Sequence, residues 1–580
     1  MSIRKMRNIG FAATLLVMAM LIGLLSVSAA AAEPASDMTF TFTEDGVTVS
    51  EGSGSGYKIS GTSLTINESG VYTVTGAASE GSITVKKGTE NVTLILKNLT
   101  LSSSTTAPLT VGKSASATVY ISGTVTLTDL EDASTEDTNE DFEGAAIKVK
   151  SGASLTITGS GVLTADGSAC KNGIKGASEA TVTIESGTVN VKAANNGLAS
   201  DGELIIKGGT VNVAAGNDGI KSDPDDDDTA SKGNLTITGG NITVSAGDDA
   251  IKALYDVVIG AEGSASGPVI NVTKSYEGIE GARVYLNSGS GNITASDDGV
   301  NAATSRAVSE IAIYLNGGTW SVNAGGDGLD AGGDSTANSG GSVYINGGVT
   351  TVFGSANGGN SALDYDTKCV YSGGTLLAVG MNGMAQTAQG TGIVFNTNVS
   401  SGALLSIKDA SGAELVSATA PKAANWVYLA SDKLTSGSTY TLYLNGKATA
   451  AATAGTTTSG GGFGGGMGGN MGGRGGQMPG NGGQMPGNGG QMPGNGGQMP
   501  GNGGQMPGNG GQMPGMGGQA PENGQRPEDG ETPEKGQRPG DGTGRGGKGR
   551  NDAFVPVILE GVGVMSAQLT GEAPSFLFCY

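Results

Sequence analysis

From about Gly144 to Gly373 the chain alternates apolar and polar residues in short runs that recur about every 22 residues, plus insertions. In Thr210-Val211-Asn212-Val213 the valines fall on one side and Thr and Asn on the other, the two-residue period of a strand. The same alternation predicts inward Val189 and Val191, Ile242 and Val244, Ile270 and Val272, and Trp320 and Val322. A second run per repeat does so for Leu155 and Ile157, Val182 and Ile184, and Leu235 and Ile237. A third element is a signature: an acidic or amide residue, Gly or Ala, then an aliphatic. It reads Asn172-Gly173-Ile174, Asn196-Gly197-Leu198, Asp218-Gly219-Ile220, Asp249-Ala250-Ile251, Glu277-Gly278-Ile279, Asp298-Gly299-Val300 and Asp327-Gly328-Leu329, with a weaker Ser361-Ala362-Leu363. No helical period intervenes. The expected fold is therefore all-β: a solenoid of three short strands per coil, each coil shielding its neighbours. Gly-Gly pairs at 208–209, 239–240, 317–318 and 347–348 suit corners that need positive φ.

The pattern also divides the chain. Residues 1–32 read as a signal peptide: Arg4, Lys5 and Arg7, an apolar stretch from Ile9 to Val27, and Ala30-Ala31-Ala32 for cleavage. The stretch is long enough to span a bilayer, so a retained anchor is the alternative. A β-prone lead-in fills 33–56, and the solenoid is expected over 57–400, interrupted by an acidic insertion from Asp129 to Glu143. A small β cap is expected at 401–450, covering a sheet edge that would otherwise be sticky. Residues 451–550, rich in Gly, Gln, Met and Pro, cannot bury a core and read as a disordered linker. Residues 551–580 form a tail of unknown role, too interrupted to span a membrane.

Charge narrows the function. The net charge is −21, and losing the three signal cations takes it to −24. That excludes nucleic acid as a partner, whose phosphates need Lys and Arg, and favours cations. With no histidine, Ser-His-Asp triads and the usual zinc sites are absent. Cys170, Cys369 and Cys579 show neither metal spacing nor pairing. The protein is expected to be secreted or at the cell surface, free of the membrane after signal removal, and a monomer.

The signature acids carry the candidate chemistry. Strands stack about 4.8 Å apart, so Asp218, Asp249, Glu277, Asp298 and Asp327 would form a column. Charges about 4 Å apart repel by roughly 1 kcal/mol in water and about 4 kcal/mol near a protein surface. A Ca²⁺ ion, with ligand oxygens at about 2.3–2.6 Å, would bridge neighbouring carboxylates. Asp248, Asp297, Glu280, Asp330, Asp364 and Asp366 lie nearby in sequence register and complete the expected metal-ligand set. Ordinary Asp-Gly and Asn-Gly turn chemistry is the bland alternative, and it suffices for Asn172 and Asn196. The insertion at 223–228 (Asp223-Pro224, then four Asp) lacks the central Gly of an EF-hand and reads as a solvated loop.

Three repeats carry Tyr285-Leu286-Asn287, Tyr314-Leu315-Asn316 and Tyr344-Ile345-Asn346. With the aliphatics inward, Tyr285, Tyr314 and Tyr344 form an outward aromatic strip beside Asn287, Asn316 and Asn346. Aromatic faces suit sugar rings and amides suit hydroxyls; a purely structural ladder is the other reading.

Taken together, Val71-Tyr72-Thr73-Val74-Thr75-Gly76, the run Gly144-Ala145-Ala146-Ile147-Lys148 and the Asp-Gly-Ile coils with Gly-Gly-Thr or Gly-Gly-Asn corners resemble a family of exported carbohydrate-binding proteins of cellulolytic anaerobic bacteria. The resemblance spans residues 37–450. It implies a right-handed parallel β-helix built like the polysaccharide lyases, bound calcium, and association with cellulose and acidic pectin of the plant cell wall rather than cleavage. Calcium on Asp218, Asp249, Glu277 and Asp298 would reverse the local sign and ligate uronate carboxylates.

A pectate lyase would also need a base. Lys148, Lys175, Lys221 and Lys252 share one place in their coils, but beside acids a lysine is held protonated. Arg283 and Arg306 sit in no recognisable signature. The expected activity is therefore non-catalytic, calcium-dependent polysaccharide binding. A lyase, or a surface adhesin stiffened by calcium, are the alternatives.

Overall fold

The computed structural model describes residues 32–224, 232–304, 306–332 and 340–458. The expected signal peptide, most of the 223–228 acidic run, Cys579, the tail and nearly all of the Gly-rich linker lie outside these residues. Among the described residues the chain is all-β; one short 3-10 turn, Ala133–Thr135, is the exception.

Three parallel ladders organise the repeats. The signature strands pair in order, Leu198 against Ile220, Ile220 against Ile251, Ile251 against Ile279, and on to Leu329 against Leu363. The second strands pair Leu155 with Val182 and Val182 with Leu204. The third pair Val189 with Val211 and Val211 with Ile242. Each strand thus takes its partner from the next repeat, and equivalent residues fall in register. The sequence alternation decides burial: Leu155, Ile157, Val189, Val211, Ile242, Ile270 and Val322 are all at most 1% exposed. Each such side chain contributes about 1.5–3 kcal/mol of burial, repeated along the ladders.

The corners depend on glycine for two different reasons. At Gly318 φ is +81°, and at Gly317 a Cβ would lie 2.2 Å from the Asn287 carbonyl oxygen of the previous repeat. One glycine supplies the turn and the other lets backbones stack at strand spacing.

The ends differ from the expected boundaries. The lead-in strand Met38–Thr43 forms a hairpin with Gly46–Glu51 and also pairs in parallel with Gly70–Ala78, Met38 opposite Tyr72. It is itself the first rung, with Phe40 and Phe42 in the core. Parallel stacking stops at Thr375–Gly380 rather than near 400, because Ala424–Ser431 lies antiparallel beside it. That strand is apolar on both faces. Trp426, Tyr428 and Ala430 join the ladder core, while Val427 and Leu429 join a second core with Phe353, Leu377 and Leu442. It therefore seals the last repeat. An antiparallel sheet of Leu404–Lys408, Glu414–Thr419, Thr439–Leu444 and Lys447–Thr453 follows. The expected linker start at 451 is corrected: Lys447–Thr453 pairs with Thr439–Leu444, and Gly455–Thr457 pairs with Gly390–Gly392. An Ala/Thr run reads as low complexity, yet its backbone pairs as well as any.

Candidate functional site

Two side-chain columns run along the signature ladder. The first holds Asn172, Asn196, Asp218, Asp249, Glu277, Asp298, Asp327 and Ser361, kept in line by bonds such as Gly219 N–H to the Asp249 carbonyl (2.8 Å) and Gly299 N–H to the Asp327 carbonyl (2.9 Å). The second lies three residues on. Its order is Lys148, Lys175, Ala199, Lys221, Lys252, Glu280, Asn301, Asp330, Asp364. Its charge reverses between Lys252 and Glu280, which are paired at 3.1 Å.

Within the first column many side chains cap the next repeat. Asn196 Oδ1 accepts from Asp218 N–H (3.2 Å), Asp218 Oδ1 from Asp249 N–H (3.3 Å), Asp298 Oδ1 from Asp327 N–H (2.6 Å), and Asp327 Oδ1 from Ser361 N–H (2.5 Å). The turn-chemistry reading therefore accounts for one oxygen each of Asp218, Asp298 and Asp327, while Asp249 accepts from Lys252 instead. The longer Glu277 departs from this pattern and accepts from Asn301 Nδ2 at 2.8 Å.

The same carboxylates meet in clusters. Asp218, Asp248 and Asp249 form one, Asp249, Glu277 and Glu280 a second, and Asp298, Asp327 and Asp330 a third; in each, one oxygen per residue lies within 4.8 Å of the others. Their environments disfavour charge. Burial, then Glu280, pushes Asp249 up to about 7. Burial, then a hydrogen bond shared with Glu277, pushes Glu280 to about 8. Burial raises Asp327 to about 6, and burial with the neighbouring acids raises Asp298 and Asp330. The first two clusters have internal cations: Lys221 lies 3.0 Å from Asp218, and Lys252 lies 2.7 Å from Asp249. Burial works against the Lys252 charge, but Glu280 and Asp249 outweigh it and hold its pKa above the ordinary value. Among the described residues no Lys or Arg pairs with Asp298, Asp327 or Asp330.

That third cluster fits a hard divalent cation. It offers carboxylate oxygens already converged, half-buried and uncompensated. Asp364, opposite Asp330, accepts from Gln386 Nε2 at 2.7 Å. Asp297 takes the Tyr276 hydroxyl instead of joining a cluster, and Asp366 joins none. The expected set of acids is thus divided: eight gather in three clusters, and Asp297, Asp364 and Asp366 stand aside.

The tyrosines stack as the repeat predicts, but on one another. Tyr285 and Tyr314 are 4.7 Å apart and 5° from parallel; Tyr314 and Tyr344 are 4.8 Å apart and 8° from parallel. Lys368 Nζ sits over Tyr344 at 5.2 Å. Glu310 accepts from Tyr314 (2.6 Å) and Tyr344 (3.0 Å). The asparagines are chained likewise, Asn316 Nδ2 to Asn287 Oδ1 and Asn346 Nδ2 to Asn316 Oδ1, both 2.8 Å. Both faces of Tyr314 are thus taken within the strip, and Tyr285 and Tyr344 each give one face to it. Sequence alternation finds the strip but not this self-association, which follows from rings repeating at strand spacing.

No curated protein matches the chain. A solved structure, the polysaccharide lyase-like protein from C. thermocellum in its gadolinium derivative, is 27% identical, with a TM-score of 0.35, over 41% of this chain and 91% of that one. Residues 60–312 match the family model described as carbohydrate-binding domain-containing protein.

Proposed function

We propose that the chain is a right-handed parallel β-helix, three strands per coil, that binds plant cell-wall polysaccharide without cleaving it and depends on calcium to do so. The observation that supports polysaccharide binding is the family match over residues 60–312. Calcium rests on the Asp298–Asp327–Asp330 cluster, which has no internal cation among the described residues. The residues that would hold the ion are these three, with the two Asp249-containing clusters as further candidates. When bound, the ion supplies positive charge on an otherwise anionic edge, which a uronate carboxylate can meet. Cellulose and acidic pectin are the expected ligands, and a secreted or surface location follows from the N-terminal segment.

A non-catalytic role agrees with the lysines. Lys221 and Lys252 are engaged with Asp218, Asp249 and Glu280 and serve as counter-ions. The tyrosine and asparagine strips contribute hydroxyl and amide groups at their outward edges, and the Tyr314 ring is closed on both faces.

The test is retention of the purified chain on cellulose and on polygalacturonate, with calcium and with chelator. Retention that chelator abolishes is the expected result. Retention on no glycan in either condition ends the reading, and release of unsaturated uronate, seen as rising ultraviolet absorbance, would make the protein a lyase.

A further inference from the structure

A cleft of about 640 Å³ opens where the acidic insertion meets the first signature rungs. None of the clustered acids lines it, and its walls include Phe142, Glu143, Lys148, Asn172, Lys175 and Asp201. Its volume falls in the range of about 300–1,000 Å³ typical of small-ligand sites.

Two buried acceptors in its wall lack donors among the described residues. Asn172, 5% exposed, gives its Nδ2 to the Gly144 carbonyl at 3.0 Å, while its Oδ1 has no partner. Glu143 pairs with Lys150 through Oε1, and its buried Oε2 is likewise unpartnered. An orphaned acceptor at a buried site costs about 1–3 kcal/mol unless something donates to it. A donor is also available: Lys148 Nζ gives one bond, to the Glu143 carbonyl at 3.1 Å, and makes no ion pair among the described residues. An ammonium has three donors. Beside them stands Phe142, half-buried, its ring against Gly144, where a Cβ would lie 2.7 Å away.

The mixture selects the ligand class. Lys175 and Asp201 are paired with each other and cancel; Lys148 opposes a divalent cation, and Glu143 and Glu140 oppose a strong anion such as phosphate. A sugar residue satisfies both sets, because each hydroxyl donates and accepts, and its apolar face packs on an aromatic ring. In the tyrosine strip, by contrast, stacking takes both faces of the central ring and one face of each outer ring.

Resting on the polysaccharide-binding reading above, we propose that this cleft is the glycan subsite: one sugar unit lies on Phe142, its hydroxyls donating to Asn172 Oδ1 and Glu143 Oε2 and accepting from Lys148 Nζ. The insertion from Asp129 to Glu143 is then a binding loop, carried beside the rungs that hold Lys148 and Asn172.

The test compares full-length parent, Phe142→Ala and Lys148→Met in depletion isotherms on cellulose and polygalacturonate at saturating calcium. Tyr443→Ala, in the C-terminal sheet, controls for substitution of a surface aromatic. Thermal melts check that each variant is folded, and the two cleft variants are independent, so either one decides. Expected is a loss of affinity of at least about tenfold for both cleft variants on whichever glycan the parent binds, with Tyr443→Ala unchanged. Parent-like isotherms for a folded cleft variant overturn the subsite while leaving the binding reading intact. A parent retained on neither glycan removes both.

Discussion

The backbone N–H of Asp327 donates to Oδ1 of Asp298 at 2.6 Å, one repeat before it. The same carboxylate offers an oxygen to a cluster with Asp327 and Asp330, so structural and cation-binding roles sit on one side chain and two substitutions can part them. Asp298→Asn keeps an acceptor for the N–H and removes a charge. Its melting temperature in chelator is expected to equal or exceed the parent's, with the calcium-induced rise much reduced. Asp298→Ala leaves the N–H unpartnered and costs about 1–3 kcal/mol in chelator as well. Identical melts for both variants with and without calcium would remove the metal from this cluster.

Stability of the metal-free protein should fall as pH rises. Asp249 and Glu280 are raised to about 7 and about 8 from ordinary values of 3.8 and 4.5. Between about pH 4 and pH 8 the folded chain therefore holds protons that the unfolded chain has released, and the slope of stability with pH is negative. The contribution is fully present below about pH 4 and is lost through about pH 7 to 8. Urea unfolding in chelator is expected to give a lower midpoint at pH 8 than at pH 5, and added calcium should narrow the gap. A higher midpoint at pH 8 in chelator would contradict the buried, proton-holding clusters.

Gly291 lies in the rung beneath Trp320. A Cβ there would meet the Ile270 carbonyl oxygen at 2.6 Å and the indole ring at 2.8 Å. Gly291→Ala is expected to cost about 1–3 kcal/mol by overpacking. Trp320→Ala, at a site 1% exposed, should cost about 3–5 kcal/mol. Denaturant midpoints read both; an unchanged midpoint for Gly291→Ala would mean the rungs are less tightly stacked than described.

The tyrosine strip should act on stability. Tyr314→Phe removes the hydroxyl bond to Glu310 and keeps both stacked pairs, for a loss of about 1 kcal/mol. Tyr314→Ala also removes the pairs with Tyr285 and Tyr344, each worth about 0.5–1.5 kcal/mol beyond burial. Thermal unfolding should rank parent, Phe, Ala. If Phe and Ala melt together, the stacking contributes nothing.

Alternation along the chain was enough to determine the inward columns, from Leu155 to Val322, and the repeat was enough to set Asp218, Asp249, Asp298 and Asp327 in one file. Both follow from local geometry: a strand shows every second residue to one side, and parallel stacking repeats whatever the period repeats. The tertiary structure alone decided which oxygens converge. Glu280 and Asp330 belong to a neighbouring column whose charge changes sign after Lys252, and the longer Glu277 reaches Asn301 where Asp218, Asp298 and Asp327 cap a backbone N–H. It likewise closed tyrosine faces on one another, because the strand spacing sets ring centroids 4.7–4.8 Å apart, within the range of offset stacking. It also brought Phe142, from an acidic insertion with no repeat, beside Lys148 and Asn172, since no period in sequence encodes where an inserted loop comes to rest.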